Sequence, residues 1–170
     1  MLPTQLAKAD TEEAHQTALF AYVRFAAIYG FSGADSWVET AHKPTARPVE
    51  RPSYATALEW MHHIPNGGSR GDSRRSAAIV GNRLRAQGVK SGVADIFMPW
   101  YSAVWDKYGL YIEMKRPGLY RQGRTNGCTD AQIAFRAHCD SAGYQWRLCY
   151  SWGSAVAVIK NYLGWRNGML

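Results

Sequence analysis

Gly92-Val93-Ala94-Asp95-Ile96-Phe97-Met98 and, after a short connection, Gly109-Leu110-Tyr111-Ile112-Glu113-Met114-Lys115 set the architecture. Each run is apolar and strand-forming, and each carries charge where a buried strand would not tolerate it unpartnered. Glu113 and Lys115 are two apart, so on a strand their side chains share a face, and a neighbouring strand can bring Asp95 alongside. Two carboxylates and a lysine make a site for a hard divalent cation, Mg²⁺ or Mn²⁺, with the ammonium beside the metal-bound water or the phosphate. The same residues also fit a plainer arrangement, in which Asp95 closes a strand in a turn and Glu113 pairs with Lys115 or Arg116 on an exposed edge.

Outward from these strands, helices alternate with them. Asp10 to Tyr29 opens with Glu12 and Glu13 in a first turn, then places Ala14, Ala18, Leu19, Tyr22, Phe25 and Ala26 at spacings of three and four, which predicts an amphipathic helix. From Gly30 to Ser53, Gly33, Asp35, Pro44, Pro48 and Pro52 break the periodicity, so residues 30–57 read as an insertion or long loop. Ala57 to Ile64 reads as a short strand ending at Pro65, and Ser76 to Gln87 as a helix stopped by Gly88. Thr129 to Ala142 has helical spacing, Gln145 to Tyr150 is strand-like, and Ser154 to Leu163 supplies a last helix. The expectation is one α/β domain over 1–170, a mixed sheet flanked by helices.

A chain of 170 residues with 13% aromatic residues is a globular single domain, not a disordered one. Twenty Lys and Arg against 13 Asp and Glu leave a net charge of +7, a balance that suits a polyanionic partner. The longest apolar stretch, Ala18 to Phe31, is 14 residues and carries Arg24, too short and too charged to span a membrane. The N-terminus has no apolar run ending in a small-residue cleavage site, and Cys128, Cys139 and Cys149 are odd in number and widely spaced. That pattern reads as a reduced, cytoplasmic protein whose thiols fill core space. No phosphate-binding glycine loop is present, so no nucleotide cofactor is expected.

The motifs resemble a known family. Gly92-Val93-Ala94-Asp95 ahead of Glu113-Met114-Lys115 is similar to the Asp and Glu-x-Lys core of the PD-(D/E)XK nuclease superfamily, and the surrounding pattern resembles its VRR-NUC branch. The resemblance extends to Asn66-Gly67-Gly68-Ser69-Arg70, to Gly88-Val89-Lys90-Ser91-Gly92, to Gln132, and to Gly143-Tyr144 leading into a strand and a closing helix. It covers the Glu12 helix and nearly everything from Ile64 to Leu163. It implies a restriction-endonuclease-like fold and a Mg²⁺- or Mn²⁺-dependent phosphodiesterase acting on DNA. Asp95 and Glu113 would be metal ligands, with Met114 adding its main-chain carbonyl. Lys115 would orient or help deprotonate the attacking water, or stabilise charge in the transition state. The family's first-helix glutamate, four residues ahead of a Gln, falls on Glu12 with Gln16, with Glu13 as the near alternative. Gln132 would position the site or contact the DNA backbone. Where the family has Pro before the Asp, this chain has Ala94, a position that shapes the strand and contributes no ligand.

Between Asn66 and Lys90 lie Arg70, Arg74, Arg75, Arg83, Arg85 and Lys90 against one acid, Asp72, and Arg116, Arg121 and Arg124 follow the Glu-x-Lys strand. Such a distribution suits phosphate neutralisation. Asn66, Arg70, Arg74, Arg75, Lys90 and Arg116 are the expected DNA contacts, while Arg83 and Arg85 fit a solvated helix face equally well. His62 and His63, adjacent on a strand, face opposite ways and do not form a metal pair. His15 lies one turn from Glu12. Trp100 and Tyr101, just past the Asp95 strand, are placed to stack on an unpaired base. A homodimer acting on branched DNA is the preferred substrate reading, because cutting two strands symmetrically needs two sites. The alternatives are a non-catalytic DNA-binding module and a sequence-specific restriction-type or nicking nuclease.

Overall fold

Thr11 starts the longest helix: its hydroxyl accepts the Ala14 N–H at 3.1 Å, and Glu12 and Glu13 complement the positive end of the helix dipole. The computed structural model describes residues 1–65, 74–119 and 126–165, with side chains at 74–78 outside that description. After a short N-terminal helix α1 (Pro3–Leu6), α2 (Glu12–Thr40) buries Ala18, Leu19, Tyr22, Val23 and Ala26. Gly30 breaks it with φ 74° and ψ 169°, a conformation that only glycine adopts cheaply. The break frees the Phe31 N–H, which the Tyr54 hydroxyl accepts at 2.8 Å, and the chain then resumes as helix to Thr40. The insertion expected at 30–57 is therefore half helical. Phe31, Ala34 and Trp37 are core residues, and α3 (Ala55–Trp60) stands where the sequence suggested a strand. Ala57 and Leu58 pack inward on that helix, and only His62–His63 (β1) is extended.

The remaining elements fall where the spacing places them: α4 (Arg74–Ala86), β2 (Ile96–Met98), β3 (Leu110–Met114), α5 (Asp130–Ser141), β4 (Gln145–Cys149) and α6 (Trp152–Tyr162). The sheet order is β1-β2-β3-β4. β1 and β2 are antiparallel, as are β2 and β3, while β4 runs parallel to β3 after the α5 crossover. It is a mixed four-stranded sheet flanked by helices.

Alternation divides the sheet's faces. Ile96, Met98, Leu110, Ile112 and Met114 join the core formed with α2, α3 and α6. Tyr111 packs on the opposite side with Ala94, Phe135, Cys139 and Trp146, under α5. Asp35 ties the kinked half of α2 to α6, accepting from the Tyr22 hydroxyl at 2.6 Å and from Lys160 Nζ at 2.8 and 2.7 Å. The three cysteines are free thiols. Among the described residues, no helix is long and apolar enough to cross a membrane.

Candidate active site

The antiparallel register sets the first contact. Ile96 pairs with Ile112, so the next residues outward, Asp95 and Glu113, stand opposite each other at the sheet end. Asp95 Oδ2 accepts the Met114 main-chain N–H at 2.8 Å, and its carbonyl accepts the Ile64 N–H at 2.7 Å. The Met114 side chain points the other way into the core, which leaves only its backbone to the site.

Glu113 is the most buried acid here, with 1% of its side chain exposed. Lys115 Nζ donates to its Oε1 at 2.7 Å, and Gln132 Nε2 donates to the same oxygen. Oε2 is buried and has no hydrogen-bond partner among the described residues. An unpaired carboxylate oxygen in the interior is costly. Burial first, and then the Asp95 charge, push the Glu113 carboxyl up to about 7 against the opposing pull of Lys115. For Lys115, burial works to lower the pKa. The hydrogen bond to Glu113 and the fields of Glu113, Glu12 and Asp95 outweigh it, so the net direction is upward and the side chain stays an ammonium.

Glu12, the first residue of α2, completes the group. Its carboxyl is raised by burial, pulled down by Lys115 and raised again by Asp95, so it shares an electrostatic environment with both. Glu13 is exposed and, with Gln16, lines a separate shallow cleft containing Thr17, Phe20 and Arg24. Of the two adjacent acids, the structure brings Glu12 to the sheet end and leaves Glu13 and Gln16 outside it. His15 is a structural neighbour: it lies 3.1 Å from Asp10 Oδ1 and accepts the Trp152 N–H at 3.4 Å, joining the starts of α2 and α6.

Gln132 has two tasks. Its Oε1 accepts the Thr129 N–H at 2.9 Å, closing the capping box that starts α5, while its Nε2 reaches Glu113. Thr129-x-x-Gln132 is a sequence signature of that cap. Cys128, half-buried next to it, carries no sequence signal that distinguishes it from a core thiol. Burial first and Glu113 second raise its pKa, so it lies within the site's field.

The donor set is all oxygen: the Glu113, Asp95 and Glu12 carboxylates and the Met114 carbonyl, the chemistry that Mg²⁺ or Mn²⁺ takes. Among the described residues, no three His, Cys, Asp or Glu side chains form a ready-made cation shell. These oxygen donors suit a hard divalent cation in kind, and the acceptor they leave open is Glu113 Oε2.

The other expected residues are dispersed. Lys90 is exposed in the loop after α4, and Arg116 is exposed immediately after Lys115. Asn66, Arg70, Arg121 and Arg124, and the side chains of Arg74 and Arg75, lie outside the described residues. Trp100 and Tyr101 lie at the far end of β2 from Asp95, where Trp100 packs against the core and the Tyr101 hydroxyl donates to Asp106 at 2.9 Å. Position along the strand, rather than distance in sequence, removes them from the site. His62 and His63 occupy successive positions of β1, and His62 Nδ1 lies 2.9 Å from the Trp60 carbonyl.

No family model and no curated protein matches the chain. Among solved structures, one described as a VRR_NUC domain protein superposes with a TM-score of 0.55 at 19% identity, covering 91% of this chain and 88% of that one. The likeness is one of fold, and it extends over nearly the whole of both chains.

Proposed function

We propose that this chain is a VRR-NUC-type, Mg²⁺- or Mn²⁺-dependent DNA endonuclease that hydrolyses phosphodiester bonds, acting on branched DNA as a homodimer. The observation that carries the reading is the orphaned Oε2 of Glu113, buried opposite Asp95 while Lys115 and Gln132 hold its other oxygen. A core that tolerates such a group without a ligand loses stability for nothing. The superposed VRR_NUC domain protein supports the fold on which this site sits.

In this reading Asp95, Glu113 and the Met114 carbonyl hold the cation, with Glu12 close by. The bound cation would polarise the phosphate and lower the pKa of the attacking water. Gln132 keeps Glu113 Oε1 engaged and so turns Oε2 inward. Lys115, held as an ammonium, donates to a phosphate oxygen and stabilises its developing charge, and does not serve as the base. Asn66, Arg70, Arg74, Arg75, Lys90 and Arg116 contact the DNA backbone.

The test is cleavage of a labelled four-way junction, a flap and a linear duplex in EDTA, Mg²⁺ and Mn²⁺, with wild type beside Glu113→Ala and Lys115→Ala. Metal-dependent cutting abolished by both substitutions is the expected result. Equal cutting of all three substrates removes the preference for branches, and binding without cutting in either metal leaves a DNA-binding module.

A further inference from the structure

We propose that α4, together with Lys90 in the loop after it, is a phosphate-gripping arm that holds duplex DNA without regard to sequence and apart from the carboxylate site. This rests on the DNA reading above, which gives Arg74, Arg75 and Lys90 to the DNA backbone, and extends that contact along α4 to Arg83 and Arg85.

The first observation is charge. Residues 73–94 contain Arg74, Arg75, Arg83, Arg85 and Lys90 and no Asp or Glu, so this segment alone carries +5, against a net +7 for the whole chain. Some cations elsewhere are neutralised by acids, Arg51 by Glu59, Arg136 by Asp140 and Lys160 by Asp35. Arg83 and Lys90 are exposed, and neither forms an ion pair among the described residues. Arg85 bonds to Asn82 of its own helix, at 2.5 Å.

Helix stability does not account for this pattern. Cations at the last turn, Arg83 and Arg85, complement the dipole, which accounts for two of the five charges and not for Arg74, Arg75 or Lys90. A helix selected only to be stable and solvated would carry opposite-charge pairs along its face. Positive charge from end to end, with no acid between, complements a polyanion.

The second observation is placement. A cleft of about 360 Å³, lined by Ile64, Pro65, Gly88, Lys90 and Val93 among others, lies between the C-terminal end of α4 and the segment that leads to Asp95. The Ile64 N–H that bonds the Asp95 carbonyl belongs to one of its lining residues. A backbone gripped along α4 and by Lys90 is thereby delivered beside the sheet end that bears Asp95 and Glu113. A second copy of the chain is the rival occupant, since Ile79 is 63% exposed and Val80 and Leu84 lie on one side of the helix. Joining two such helices would bring together two segments of +5 each, a repulsion that DNA turns into attraction.

The experiment is fluorescence anisotropy of a labelled linear duplex in EDTA across a series of salt concentrations, with wild type, the charge-neutral double variant Arg83→Gln/Arg85→Gln, and Arg51→Gln as the control. Melting curves confirm that each variant folds. The double variant is expected to weaken binding roughly tenfold and to lower the slope of log Kd against log salt by about 2, with Arg51→Gln unchanged. Unaltered affinity and slope overturn the arm. So does dissociation of a dimer by Leu84→Asp with DNA binding intact, which assigns the helix to a second copy. Because no divalent metal is present, failure of the cleavage reading leaves this result standing, and cleavage with an inert α4 refutes the arm alone.

Discussion

Replacing Glu113 by Gln keeps the acceptor that Lys115 and Gln132 share and removes the charge. The ordinary carboxyl value of 4.5 is raised to about 7 in the fold. Between those two pH values the native protein holds a proton that the unfolded chain has released, so stability falls as pH rises through the window. It is complete below about 4.5 and is lost by about 7. At 1.36 kcal/mol for each tenfold change in proton affinity, the loss is about 3 kcal/mol, undiminished by solvent because the side chain is 1% exposed. The amide of the variant has no such titration. The stability of Glu113→Gln relative to wild type should therefore improve by about 3 kcal/mol between pH 5 and pH 8, roughly 6 to 12 °C in Tm for a chain of this size. Any fixed cost of seating the amide shifts both ends equally. The assay is urea unfolding or thermal melting of both proteins across that range in EDTA. Adding Mn²⁺ at pH 8 should then stabilise wild type and not the variant. Parallel pH profiles for the two proteins would refute a buried, ionisable Oε2 and the metal argument built on it.

Asp95→Asn keeps an acceptor for the Met114 N–H and should abolish cleavage with little change in stability, whereas Asp95→Ala strands that N–H and should cost about 1 to 3 kcal/mol by chemical denaturation as well. Gly92 has φ +84°, and a Cβ there would lie 2.4 Å from the Ala131 main chain, so Gly92→Ala should push α5 outward, destabilise by about 3 kcal/mol and lower cleavage by drawing Gln132 away from Glu113. Asp35→Ala removes the acceptor of the buried Tyr22 hydroxyl and of the partly exposed Lys160 ammonium, on the far side of the sheet. It should cost about 2 kcal/mol in melting experiments and leave kcat per folded molecule unchanged.

The strands and their shared face are legible in the sequence because period-two alternation and the intolerance of buried charge both act locally. Asp95, Glu113 and Lys115 are readable as one site for the same reason. The helix from Phe31 to Thr40 is hidden, since Gly30, Gly33 and Asp35 are breakers by composition. What rescues the helix is the Tyr54 hydroxyl, 23 residues away, taking the Phe31 N–H, and Asp35 facing Lys160 from α6. α3 passes for a strand because Ala-Leu-Glu-Trp-Met is too short for its period to separate helix from strand. The choice between Glu12 and Glu13 needs the angle at which α2 meets the sheet, which no local pattern contains.

The two oxygens of Glu113 explain why α5 begins where it does. Lys115, just past the end of β3, and Gln132, from the first turn of α5, both donate to Oε1 and leave Oε2 open. The Gln132 amide is itself pinned, because its Oε1 closes the cap on Thr129 and its Nε2 is left facing Glu113. The cap that starts the helix thus also helps to set which carboxylate oxygen remains open, so the two functions should fail together in Gln132→Ala. Gln132→Glu should separate them: a glutamate can close the capping box but places a second carboxylate against Glu113. α5 should then remain folded at pH 8, judged by its circular dichroism, while cleavage falls and the Glu113 titration moves to still higher pH. Intact cleavage in Gln132→Glu would mean that Lys115 alone orients the carboxylate.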